Sequence, residues 1–224
     1  DKFHEYMTEF GLGTELGVDL PGEEDGKVPD AGFYNKIYGK NKWYSTFIIS
    51  LGIGQGELLL TTLQMANVSC LLGNRGYYKT PHIVKRFEDT DLDFPLDSIG
   101  IHKSSIDQEH FDHVVDGMKL VVQAGTGRQA QNRYTPIAGK TGTVQNKFGE
   151  DHSTFIGFSP TEQPKIAVAV YVENAGGGGS FAAPIAGLIM EKYTNGTISD
   201  EKKWVEDRML NAVLIEETQE SDED

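Results

Sequence analysis

The sequence predicts an α+β fold, an α/β sandwich in which an antiparallel sheet is flanked by helices. Three observations predict it. Apolar residues recur every three or four positions over 57–72 and 108–123, the spacing of a buried helix face. From Pro136 onward the period becomes two, in segments too short for helices. The connections between those segments are short and contain Gly149, then Pro160 through Pro164, which suits hairpins and excludes the long crossover that parallel strands need.

Residues 1–50 show little periodicity and read as turn-rich, with Gly11-Leu12-Gly13 and Asp19-Leu20-Pro21-Gly22-Glu23. Pro-Gly suits a type II turn, because proline presets φ and glycine accepts a positive φ. Leu51-Gly52-Ile53-Gly54-Gln55-Gly56 leads into a helix over 57–72, whose buried face is read as Leu59, Leu63, Ala66 and Cys70, with Gly73 as the residue just past its end. Residues 76–88 read as extended, 89–106 as a polar loop, and 108–123 as a helix through Phe111, Val114, Val115, Met118, Val121 and Val122. Strands are expected at 137–144, 153–159 and 165–173. The third is apolar on both faces, which suits a central strand covered on both sides. Gly176–Gly179 then forms a tight loop, 181–193 a helix laid back on the sheet, and 204–215 a further amphipathic helix.

With 224 residues the chain is long enough to bury roughly 70 % of its unfolded surface, so no metal or disulfide staple is required. The net charge of −14 argues against nucleic acid as a partner, since such binding needs a basic face. Six acids and no base fall in the last nine residues, which reads as a solvated, disordered tail. The lone Cys70 excludes an internal disulfide and reads as a small buried hydrophobe. No apolar run approaches the ~18 residues of a membrane span. The chain opens on Asp1-Lys2-Phe3, neither a start methionine nor a signal peptide, so it reads as cut from something longer.

The stretch that carries chemistry is Ala138-Gly139-Lys140-Thr141-Gly142-Thr143. A phosphate-cradling P-loop fails, because its first glycine falls on Tyr134. Gly125-x-Gly127-x-x-Ala130 fits a dinucleotide fingerprint in letters only, since it follows a helical segment and not a strand. The remaining reading is the K-T-G triplet of active-site serine acyl enzymes. On a strand, Lys140 supplies a cation and Thr141 and Thr143 supply hydroxyls for a substrate carboxylate. Gly142 leaves room for an extended peptide to pair along the strand edge. A strand N–H can also serve an oxyanion hole. His110 and His113 lie at helix spacing beside Asp112 and read as a solvated face, not as metal ligands. His152 reads as making a structural hydrogen bond, and Trp43-Tyr44 as packing.

Around that triplet, Tyr6–Gly13, Gly17–Glu23, Gly52–Gly56, Thr61–Ala66, His152–Pro160 and Gly177-Gly178-Gly179 before Ala182-Ala183-Pro184-Ile185 occur in one order. Together they resemble the transpeptidase domain of class B penicillin-binding proteins, and Trp43-Tyr44 with Gly54-Gln55-Gly56 resembles the elongation type. The resemblance covers 2–195. It implies a β-lactamase/transpeptidase-like sheet, incomplete in this chain, with 1–195 as the C-terminal portion of the transpeptidase domain and 196–224 as a C-terminal helix and acidic tail.

The resemblance also implies a function. Such enzymes face the periplasm from a membrane anchor and cross-link peptidoglycan stem peptides. A serine in S-x-x-K attacks the penultimate D-alanine carbonyl, and an S-x-N motif helps move the proton. The implied partners are the D-Ala-D-Ala end of a stem peptide, β-lactams that mimic it, and the N-terminal part of the same protein. No cofactor or metal is implied. By the same resemblance Lys140 and Thr143 are catalytic; Lys140, Thr141, Gly142 and Thr143 bind substrate; the Thr143 N–H is one oxyanion donor. Gly125-Thr126-Gly127 matches the loop before the strand.

S-x-N occurs nowhere in the chain, and S-x-x-K only at Ser199-Asp200-Glu201-Lys202, after K-T-G, in a polar stretch where Lys202 is expected to keep an ordinary pKa. The fragment is therefore expected to lack the nucleophile, to form no penicillin adduct by itself, and to expose an apolar sheet face that favours dimers. The alternative class is a β-lactam sensor or inactive homologue on the same fold.

Overall fold

The computed structural model describes residues 2–85 and 99–214. Seven α-helices and five strands occur among them: α1 Lys2–Glu9, α2 Ala31–Tyr38, α3 Thr46–Gly52, α4 Thr62–Gly73, β1 Tyr77–Lys79, β2 Ile101–Lys103, α5 Gln108–Ala124, β3 Ala138–Val144, β4 His152–Ser159, β5 Ile166–Val172, α6 Ala182–Asn195 and α7 Lys203–Leu210. The acidic tail from Ile215 and most of the expected polar loop, 89–98, lie outside the described residues.

The meander follows the sequence closely. β3, β4 and β5 pair antiparallel in that order, with Thr141 opposite Phe155 and Phe155 opposite Val170. Period two sends alternate residues to two cores. Phe155, Val168 and Val170 pack with Ala182, Ala183, Ala186 and Met190 of α6 on one face. Ala138 and Phe158 pack with Leu71 and Leu72 of α4 and with Phe111, Val115 and Met118 of α5 on the other. Glycines let the layers close: a Cβ on Gly139 would run into the Phe155 ring, and one on Gly73 would press on Phe158 and Pro164. The expected centre of the sheet needs correcting. β4 is the central strand among the described residues and β5 is at the edge. The two apolar faces of β5 reflect cover by α4 and α6, not a neighbouring strand on each side.

The helix over 57–72 also needs correcting. It starts only at Thr62, where the Thr61 hydroxyl accepts from Gln64 N and the Gln64 side chain accepts from Thr61 N, a capping box. Gly73 is its last residue and not the one beyond. Its buried positions are Gln64, Asn67, Ser69, Leu71 and Leu72, whereas Leu59, Leu63 and Cys70 are exposed. Cys70 is therefore not a buried hydrophobe. The polar positions are buried because loops need them. The Gln64 amide donates to Thr14 O and Asp25 O, and the Asn67 amide to Phe10 O. These are backbone acceptors that irregular loops leave without a ladder partner.

Residues 1–50, expected to be turn-rich, hold α1, α2 and most of α3, three short helices. α2 is capped by Asp30, whose carboxylate accepts from Phe33 N at 2.7 Å. α2 and α3 enclose an aromatic cluster in which Tyr34 packs on Trp43 and Phe47. Burial and the neighbouring Glu57 carboxylate, which accepts the Tyr34 hydroxyl at 2.9 Å, push that phenol up to about 12. Trp43 packs as expected, while Tyr44 is exposed. α7 spans 203–210, shorter than expected.

Candidate active site

β3 carries Lys140, Thr141, Gly142 and Thr143, and it lies at the free edge of its sheet among the described residues. Its inner edge is zipped to β4 throughout, leaving the outer edge open to an extended peptide. A Cβ on Gly142 would overlap the Thr154 hydroxyl, so any other residue here forces Thr154 to turn away.

Strand alternation divides the expected site residues. Thr141 and Thr143 face the α6 side with Phe155 and Ser153, while Lys140 faces the α5 side with Ile156. The two groups meet only around the open edge of β3. The Lys140 side chain is exposed, and its ammonium donates to Thr141 O at 2.7 Å.

The structure gathers the hydroxyls with two loops. Thr126 Oγ1 and Thr141 Oγ1 share a hydrogen bond of 2.7 Å. Gly178 N–H donates to Thr143 Oγ1 at 3.2 Å. A hydroxyl carries one donor and two acceptor lone pairs, so this contact uses acceptor capacity and leaves the Thr143 O–H to donate outward. The Thr126–Thr141 pair likewise keeps one O–H to give away. Gly178 lies flat on β3, where a Cβ would strike Gly142 O, and a Cβ on Gly179 would come within 2.8 Å of Thr126 O. The glycine run is thus a packed loop, as expected. The arrangement offers two hydroxyl donors near an exposed ammonium, a receptor for a carboxylate at the end of a peptide paired to the edge.

Sequence reasoning singled out the Gly125-Thr126-Gly127 loop without its hydroxyl contact, and it missed Ser153, whose hydroxyl donates to Gly177 O and accepts from Ala182 N beneath the glycine loop. No spacing rule links positions 126 and 141. His152 makes the expected structural bond: its Nδ1 accepts from Asn174 N at 3.0 Å. His110 and His113 are exposed on α5, and Asp112 beside them pairs with Arg75.

Ser199 and Lys202 depart from expectation. Lys202 is half-buried, and burial pulls its ammonium below the ordinary lysine pKa while the nearby Glu191 opposes this. The stretch is polar in sequence, but α6 supplies the buried Glu191 that accepts from Ser199 N. The Lys202 amine is committed to the carbonyl of Gln131 and not to the Ser199 hydroxyl. An apolar groove of about 590 Å³ between α6 and α7, lined by Ile185, Ile189, Tyr193, Met209 and Leu210, lies by the start of β5 and away from β3.

A lysine and two hydroxyls on the edge strand of a helix-covered antiparallel meander match the K-T-G strand pattern of active-site serine acyl enzymes. Residues 1–191 match the penicillin binding protein transpeptidase domain, and the chain belongs to that family. The peptidoglycan D,D-transpeptidase MrdA of Haemophilus influenzae is 34 % identical over 225 residues, covering 91 % of this chain and 34 % of the relative. The stage V sporulation protein D of Bacillus subtilis is 34 % identical over 202 residues, covering 85 % of this chain and 30 % of that protein. Among solved structures, Pseudomonas aeruginosa PBP2 in complex with WCK 5153 superposes with a TM-score of 0.76 at 34 % identity, covering 90 % of this chain and 44 % of that one. Helicobacter pylori PBP2, in its complex with MreC, superposes with a TM-score of 0.67 at 26 % identity over 87 % of this chain and 36 % of that one. The chain spans about a third of the length of the curated relatives it matches.

Proposed function

We infer that these residues form the substrate-positioning part of a serine-type peptidoglycan D,D-transpeptidase, working at the periplasmic face of the bacterial inner membrane. The observation that carries the reading is the open β3 edge bearing Lys140, Thr141, Gly142 and Thr143, with both hydroxyls tied from behind. A stem peptide ending in D-Ala-D-Ala lies along that edge, and its terminal carboxylate meets the Thr141 and Thr143 hydroxyls and the Lys140 charge. A serine supplied from sequence beyond these residues attacks the penultimate carbonyl. The bond to the last D-alanine breaks, that residue leaves as the free amino acid, and the acyl group stays on the serine. The amine of a second peptide then attacks the ester, restoring the serine hydroxyl and forming the cross-link. The Thr143 N–H holds the oxyanion in both steps, and a β-lactam follows the first step only. Lys140 and Thr143 are the catalytic contributors from this chain. Residues 1–195 carry this role and 196–224 are an appendage to it.

The D,D-transpeptidase reading is favoured over an inactive homologue because the hydroxyl geometry is intact. Labelling with fluorescent penicillin tests it. The complete gene product is expected to form a stable adduct on a serine outside these residues, and the 224-residue chain to form none. A complete product that takes no label contradicts the reading, as does an adduct on any serine named here. The exposed apolar side chains Leu63, Val144 and Tyr171 around α4 and the β3–β5 sheet support self-association of the isolated chain. Light scattering is expected to show dimers or larger species, and a clean monomer contradicts that part.

A further inference from the structure

We propose that Ser153 is a positioning residue for the Thr143 hydroxyl, acting through the glycine loop; this rests on the transpeptidase reading above. Ser153 is fully buried on β4, directly across from Thr143. Its Oγ donates to Gly177 O and accepts from Ala182 N, each at 3.0 Å. One hydroxyl therefore ties both ends of the segment between them. That segment contains Gly178, whose N–H reaches Thr143 Oγ1.

The loop needs such a tie. Glycine loses more backbone freedom on ordering than any other residue, and Gly177, Gly178 and Gly179 have no side chains to anchor. Backbone bonds brace the loop within itself, Ser180 N–H to Gly177 O at 2.9 Å and Ala183 N–H to Gly178 O at 3.3 Å, while Gly178 lies flat against β3. Ser153 supplies the fixed point from the sheet. It is placed on the same face as Thr143, so the strand that pairs with β3 also sets the loop that aims its hydroxyl. If the loop relaxes, Gly178 N–H leaves Thr143 Oγ1. The hydroxyl then rotates among its staggered wells instead of presenting its proton to the substrate carboxylate.

The test has two arms. In the complete gene product, hydrogen exchange of the Gly178 amide is followed by mass spectrometry in Ser153→Ala. It is expected to rise at least severalfold, with the amides of β3 and β4 away from position 153 unchanged. In the complete gene product, benzylpenicillin acylation is measured for Ser153→Ala, Thr143→Ala and the pair. Ser153→Ala alone is expected to slow acylation about three- to tenfold, the worth of one net hydrogen bond. In the Thr143→Ala background the same change is expected to have no further effect. A merely structural serine would instead slow both backgrounds equally, and that result overturns the proposal. So does Gly178 exchange unaffected by Ser153→Ala. If Ser153→Ala does not fold, Ser153→Cys, which keeps a weak donor and acceptor in place, is expected to give intermediate exchange; unchanged exchange there counts against the proposal. A complete product that penicillin never acylates defeats the functional reading alone, since the exchange arm stands without it.

Discussion

The two ends of the molecule are held together by different physics. The C-terminal meander and α6 share an apolar core, in which Phe155, Ala182, Ala183, Ala186 and Met190 are fully buried. The N-terminal segment up to residue 60 buries few apolar side chains, chiefly Leu12, Leu16, Val28, Tyr34 and Leu51. It is fixed instead by side chains that satisfy loop backbone. Glu23 accepts from the amides of Leu16, Gly17 and Val18, Asp19 from Ile83 and Val84, and Glu9 from Ser105. Apolar burial does not depend on a proton, whereas the Asp19 and Glu9 carboxylates hold their amide partners best while charged.

The largest effect that sharpens this contrast is Phe155→Ala. Its ring is fully buried and also covers Gly139, so the change is expected to cost about 3–5 kcal/mol by urea denaturation. A loss under about 1 kcal/mol would mean that the meander core is not what holds the C-terminal region. Gln64→Leu comes next. It removes the donors to the carbonyls of Thr14 and Asp25, and each lost net hydrogen bond at these partly buried places costs about 0.5–1.5 kcal/mol. The loss is expected to appear first as faster amide exchange in residues 10–30, not in the sheet.

The third effect is acid sensitivity. Amide donors from Val84 and Ile83 hold Asp19 below the usual 3.8, and those from Ser105 hold Glu9 below 4.5. A carboxylate whose folded pKa is depressed adds stability above its unfolded pKa and loses it as pH falls through the folded value. Acidifying below about pH 4 is therefore expected to loosen the N-terminal segment before the meander. Asp19→Asn should flatten that dependence in a pH series of exchange rates. Equal loosening of both regions would break the comparison. The smallest effect belongs to the exposed Arg133–Glu201 pair, whose removal is expected to cost about 0–1 kcal/mol.

The same contrast decides what could be read from sequence. β3, β4 and β5 were legible to within a residue or so because a half-buried strand forces alternation, and K-T-G placed Lys140 and its hydroxyl neighbours on one of them. α5 was legible because Phe111, Val115, Met118 and Val122 mark its buried face. The buried face of α4 was not, because Gln64 and Asn67 face inward to satisfy carbonyls on loops far away in the chain. Periodicity sees hydrophobicity, not unpaired backbone. The third strand was expected to be central and lies at the edge among the described residues, because apolar residues on both faces report cover above and below and say nothing of neighbours at the side. In the site, the residue types were legible and their support was not. The Thr126 contact and the Ser153 tie depend on how loops fold back over β3.

The central claim is that the β3 edge receives a carboxylate for acyl transfer, and Lys140→Ala in the complete gene product tests it most directly. The account predicts that the second-order rate of acylation by benzylpenicillin falls at least about 100-fold, the scale of losing a positioned electrostatic group at a reacting centre, with the thermal midpoint unchanged. A rate within about twofold of the unaltered protein would contradict it.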